Sequence, residues 1–88
     1  MTENFQVEVD GKVYVIDRVL QEHTERTKTY RFETFIDGKK YKLSAILTID
    51  TIQELSARHG INALDELTNV LLTEFQLEIA KIRNMTND

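Results

Sequence analysis

The chain is expected to fold as α+β: a four-stranded antiparallel β-meander, then a short and a long α-helix packed on one face of the sheet. Three observations predict this. The tetrad Val9-Asp10-Gly11-Lys12 returns as Ile36-Asp37-Gly38-Lys39, flanked each time by alternating apolar residues. The alternation runs to Ile49 and then gives way to helical spacing. Helix start and stop residues bracket two segments after that switch.

Asp-Gly between alternating apolar runs is a strong hairpin signal, because a type I′ turn needs φ > 0 at both central residues. A two-residue turn pairs Val9 with Lys12, Val7 with Tyr14 and Phe5 with Ile16 on one face. The second copy pairs Ile36 with Lys39, Thr34 with Tyr41, Phe32 with Leu43 and Tyr30 with Ala45. Both hairpins then place their main apolar set on the same parity. The likeness extends beyond the tetrads, since Phe5 and Phe32, Tyr14 and Tyr41, and Ile16 and Leu43 are each 27 residues apart. A period-2 pattern around one turn type permits few solutions, so shared turn chemistry is the simpler reading than a duplicated binding unit.

Between the hairpins lies the polar stretch Gln21–Lys28, read as a loop or as strand ends joined by a turn near Thr24–Arg26. Parity lets Leu20 and Tyr30 share the core face. The last strand turns Tyr41, Leu43, Ala45, Leu47 and Ile49 inward.

Asp50 with Gln53, or Thr51 with Glu54, can cap a short helix over about 51–59. Gly60 suits the left-handed position after it, with Ile61 folding back onto Leu55 in a Schellman-type cap. Asn62 is a good N-cap for a long helix over about 62–83. Asp65 and Glu66 in its first turn and Lys81 and Arg83 in its last agree with the helix dipole. Leu64, Leu71, Phe75, Ile79 and Ile82 form its sheet-facing stripe, with Leu67 and Leu72 at the margins. A second line, Ala63, Val70 and Leu77, widens the apolar sector to roughly 200°, more than one sheet requires.

The 88 residues are expected to form one domain: a sheet over about 4–49, the two helices, and a frayed tail at 84–88. Without cysteine there is no disulfide framework, thiolate zinc site or cysteine nucleophile. The opening MTENFQVEVDG lacks the basic and apolar regions of a signal peptide, and no apolar run approaches the roughly 20 residues of a membrane span. A cytoplasmic protein with no membrane contact is the expectation. The net charge is −4. Residues 1–47 carry eight charges of each sign, and residues 48–88 carry three basic and seven acidic residues. That acidic second half disfavours nucleic acid as a general partner.

No catalytic constellation is legible. His23 and His59 fall in a polar connector and at a helix end, and neither Ser44 nor Ser56 sits in a Gly-x-Ser-x-Gly elbow. No metal-ligand spacing occurs, and each of the three glycines is explained by a turn or cap. The chain is therefore read as non-catalytic, with no metal and no cofactor.

What remains is surface. The excess width of the long helix points to a partner interface along Ala63, Val70 and Leu77, rimmed by Glu66, Glu74 and Glu78. Such a surface suits a second copy, a basic host protein, or both. The expected function is a protein–protein interaction module, homodimeric, of the kind bacteria or phages use as accessory or regulatory factors. An alternative is nucleic-acid binding by the outer sheet face, through Arg31, Phe35, Lys40 and Lys42. A third reading is an acidic decoy that occupies the basic groove of a DNA-binding protein.

Overall fold

The computed structural model describes residues 2–86. Four strands, β1 (Thr2–Val9), β2 (Lys12–His23), β3 (Thr27–Ile36) and β4 (Lys39–Thr48), form one antiparallel sheet in the order β1-β2-β3-β4. Helices α1 (Ile49–His59) and α2 (Ala63–Thr86) follow. The expected α+β meander with a short and then a long helix is the fold.

Both hairpin registers are those the turn chemistry dictates. Val9 pairs with Lys12 and Phe5 with Ile16, and Ile36 pairs with Lys39 and Tyr30 with Ala45. Asp10 and Gly11 have φ of 53° and 79°, and Asp37 and Gly38 have 51° and 82°. These are the paired positive angles of a type I′ turn, whose twist matches that of the strands.

The polar connector divides as strand, turn, strand. Thr24 closes the turn: its backbone N–H donates to the Thr27 carbonyl at 2.9 Å, and its Oγ1 accepts from the Arg26 and Thr27 N–H groups. The β2–β3 register shifts between Leu20 and Glu22, leaving Gln21 unmatched in a bulge. Leu20 does pair with Tyr30 on the helix side of the sheet, yet it stays exposed while Tyr30 is buried.

One face of the sheet meets the helices. Val7, Val9, Tyr14, Ile16, Tyr30, Phe32, Ile36 and Leu47 are buried there against Ala63, Phe75 and Ile79. The molecule is 18 Å across its thinnest axis, the depth of two layers. Removing such side chains from water, at about 25 cal/mol per Å² of apolar area, is the main drive that assembles the layers.

The helix boundaries differ from the expected ones for local reasons. Helix α1 begins at Ile49, because Thr48 is the N-cap: its Oγ1 accepts the Thr51 N–H at 3.2 Å and donates to Thr51 Oγ1 at 2.8 Å. The Ile49 N–H donates to the Arg26 carbonyl at 2.8 Å, tying the helix start to the β2–β3 turn. Ile49 is thus the first residue of a helix and not the last of a strand, and neither Asp50–Gln53 nor Thr51–Glu54 serves as the capping pair. Gly60 is left-handed as expected, at φ 62°. Its N–H donates to the Ser56 carbonyl, the spacing of the simple αL cap, while Ile61 reaches back to the Leu55 carbonyl. Asn62 Oδ1 caps α2 by accepting from Leu64 and Asp65 at 3.0 and 3.2 Å. Helix α2 continues through Thr86, so positions 84–86 are helical and not a frayed tail. Residues 87 and 88, the rest of that expected tail, lie outside the described residues.

Candidate interaction surfaces

The stripe of α2 that was expected to cover the sheet does so. Phe75 and Ile79 are buried, and Leu64, Leu67, Leu71, Leu72 and Ile82 pack partly against the core. Two residues of the sheet side were missed. Thr68 is 3% exposed and accepts a hydrogen bond from Arg18 Nη1 at 2.7 Å. Arg83 Nη1 donates to Tyr14 Oη at 2.9 Å, and its Nε lies 3.5 Å from Asp10 Oδ2. A threonine and an arginine on an apolar helix stripe do not announce themselves in a hydrophobic periodicity. Their positions at helix spacing from Phe75 and Ile79 were the available signal.

The second line of α2 splits. Ala63 is 3% exposed and belongs to the core, so it is not part of a free surface. The reason is α1, which packs on α2 and β4 and whose Ile52 and Ser56 line one cleft together with Ala63. Val70 and Leu77 remain 57% and 58% exposed. Glu66, Glu74 and Glu78 are exposed around them, Glu78 loosely paired with Lys81 at 3.8 Å. Two apolar side chains in an acidic surround are what is left of the expected three-residue line.

The opposite face of the sheet has no helix on it, and there the apolar surface is larger than the sequence suggested. Val13, Val15, Phe35 and Ile46 point outward at 48–65% exposure. Val15 and Phe35 lie on the two central strands, where β2 and β3 separate toward their hairpin turns. Thr34 Oγ1 bridges that opening by donating to the Val15 carbonyl at 2.8 Å. A shallow cleft of about 290 Å³ follows, lined by Val13, Val15, Thr34 and Phe35 among others.

The basic residues assigned to this face are largely tied up. Glu33 Oε2 takes Arg31 Nε at 3.2 Å and Lys40 Nζ at 3.1 Å. Arg31 Nε and Glu33 Oε2 are shielded from solvent and meet as an ion pair rather than a well-aligned hydrogen bond. Lys40 also lies 6.0 Å from the centre of the Phe35 ring, and Lys42 stands opposite Glu33 in the register. On the neighbouring strands the same face carries Glu8, Asp17 and, beyond the bulge, Glu22. A nucleic-acid strand laid across this sheet would meet both signs of charge.

Other chemistry has little to work with among the described residues. No group of three or more His, Cys, Asp or Glu side chains is placed to hold a metal ion. No helix is long and apolar enough to cross a membrane. His23 and His59 are exposed at the ends of β2 and α1. Ser56 lines an open cleft with Ile52, Gly60, Ile61, Asn62 and Ala63, and Ser44 sits on the outer sheet face opposite Arg31. Another cleft, of about 430 Å³, is a polar surface depression between Glu25, Arg26, Ile49, Asp50 and Gln53.

Comparison with protein families, with curated proteins and with solved structures finds no match.

Proposed function

We propose that this chain is a small non-catalytic protein–protein interaction module, homodimeric and cytoplasmic, of the type that serves bacteria or phages as an accessory factor. The observation that carries the reading is the one-sided coverage of the sheet. Both helices pack on the same face, and apolar side chains stand exposed on the two surfaces left over. Contiguous exposed apolar surface marks contact sites when it is rimmed by polar residues. The outer flank of α2, with Val70 and Leu77 among Glu66, Glu74 and Glu78, suits a partner that brings basic and apolar residues together.

The test is affinity capture from native lysate with three baits: wild type, Val70→Glu/Leu77→Glu, and Val15→Glu/Phe35→Glu. Specific partners held by wild type and lost by one altered bait support the reading. Identical recovery by all three baits overturns it. So would tight binding of single-stranded oligonucleotides that weakens steeply with salt, since phosphate contacts release counterions.

A further inference from the structure

Registers fix which side chains share the outer sheet face. The β1–β2 half presents Glu8, Asp17 and Glu22, and no basic residue on that half faces the same way. The β3–β4 half presents Arg31, Lys40 and Lys42 with one acid, Glu33. Formal charges are therefore −3 on one half and +2 on the other. Between them, on the central strands, stand Val13, Val15 and Phe35. An apolar centre with charged margins is the anatomy of a protein interface. Here the margins carry opposite signs.

We propose that the occupant of this face is a second copy of the chain, stacked sheet to sheet about a two-fold axis that runs along the strands between β2 and β3. Such an axis lays the β1–β2 half of one copy over the β3–β4 half of the other. Acid then meets base on both flanks, and Val15 meets Phe35 twice at the centre. A two-fold axis across the strands would instead stack each half on itself, acid on acid and base on base. Charge selects the first arrangement. Asp17 comes to lie over Glu33 in it, but Glu33 already holds Arg31 and Lys40, so Asp17 faces a cluster of net positive charge. From ordinary strand spacing and rise, four strands of this length offer about 600 Å² per copy, close to the roughly 800 Å² per partner of a standard interface. The product is a four-layer α/β/β/α sandwich with its sheets about 10 Å apart. It leaves the α2 flank free for another protein.

This inference rests on the reading of the chain as an interaction module, and sedimentation equilibrium of the purified full chain up to about 100 µM tests it separately. Wild type is expected at twice the chain mass of 10.3 kDa. Val15→Glu/Phe35→Glu changes only outward side chains and should raise the dissociation constant more than tenfold. Lys42→Glu alone and Asp17→Lys alone should each sediment as monomers. Their equimolar mixture should recover the dimer, because the half made more acidic by Lys42→Glu in one copy then lies over the half made more basic by Asp17→Lys in the other. A monomeric wild type overturns the sheet-to-sheet dimer, even where lysate capture through α2 succeeds. A dimer that survives Val15→Glu/Phe35→Glu and is broken by Val70→Glu/Leu77→Glu overturns it as well, by moving the self-contact to α2. Failure of the dimer together with failure of all specific capture would remove the interaction reading itself.

Discussion

Arg18 Nη1 donates to Thr68 Oγ1 at 2.7 Å, joining the middle of β2 to the second turn of α2. The same guanidinium lies 5.0 Å from the Phe5 ring centre and 5.9 Å from that of Tyr30. A cation is thus accommodated on the core face by two aromatic rings and one buried hydroxyl. Replacing Thr68 with valine keeps the shape and removes the acceptor. The loss should be about 1–3 kcal/mol, the usual cost of leaving a part-buried charged donor without its acceptor. Urea denaturation checks it, and an unchanged midpoint would mean that water replaces the hydroxyl without penalty.

Tyr14, Asp10 and Arg83 fasten the far end of α2 to the first hairpin turn. The Arg83 guanidinium is held above its ordinary pKa, chiefly by the hydrogen bond to Tyr14 and then by the charges of Tyr14 and Asp10. For a base whose pKa is raised on folding, the linked stability is fully present below the unfolded value and is lost as pH rises through the folded one. That window lies in strong alkali. Tyr14→Phe should therefore lower the denaturation midpoint by the same amount at pH 5 and pH 9. A difference that vanished at either pH would assign the contact to another titrating group.

Gly38 stands at φ 82° with nothing within 4 Å of where a Cβ would sit. Gly38→Ala therefore introduces backbone strain without a clash. The left-handed conformation costs an ordinary L-residue about 1–2 kcal/mol, and the variant should lose that much. Thermal unfolding measures it. A loss well above that range would mean that the hairpin had changed its turn type and register.

The parts of this molecule that were legible in the sequence are those set by short-range rules. Asp10-Gly11 and Asp37-Gly38 fix turn geometry within four residues, and each register then follows from the pleat. Gly60 and Asn62 announce a helix end and start by the same kind of local chemistry. Long-range geometry was less legible. Ala63 looked like surface because a helical wheel knows nothing of α1 packing beside it. Ile49 looked like the end of a strand because the Thr48 hydroxyl becomes a cap only when the chain turns after it. Exposure of Val13 and Val15 depends on both helices choosing one face, which alternation on β2 alone does not decide. The α2 flank was found in part, as Val70 and Leu77, while the apolar centre of the open sheet face was missed except for Phe35.

The layer arrangement makes one further contrast measurable. Phe32 and Ile79 are fully buried in the core between the sheet and α2, whereas Val70 and Leu77 project from the opposite side of that helix. Truncating a core side chain loses its transfer free energy and leaves a cavity that the sheet and helix cannot fully close. Phe32→Ala should cost about 3–5 kcal/mol and Ile79→Ala about 2–5 kcal/mol. Val70→Ala and Leu77→Ala should each stay within about 0.5 kcal/mol, as surface changes do. The comparison requires the dissociated chain, since a partner on the α2 flank would add its own stabilisation by mass action. Denaturation at a few concentrations separates the two terms. If Leu77→Ala proved as costly as Ile79→Ala at the lowest concentration, α2 would be packed on both sides within one chain, and its outer flank could not be a surface for partners.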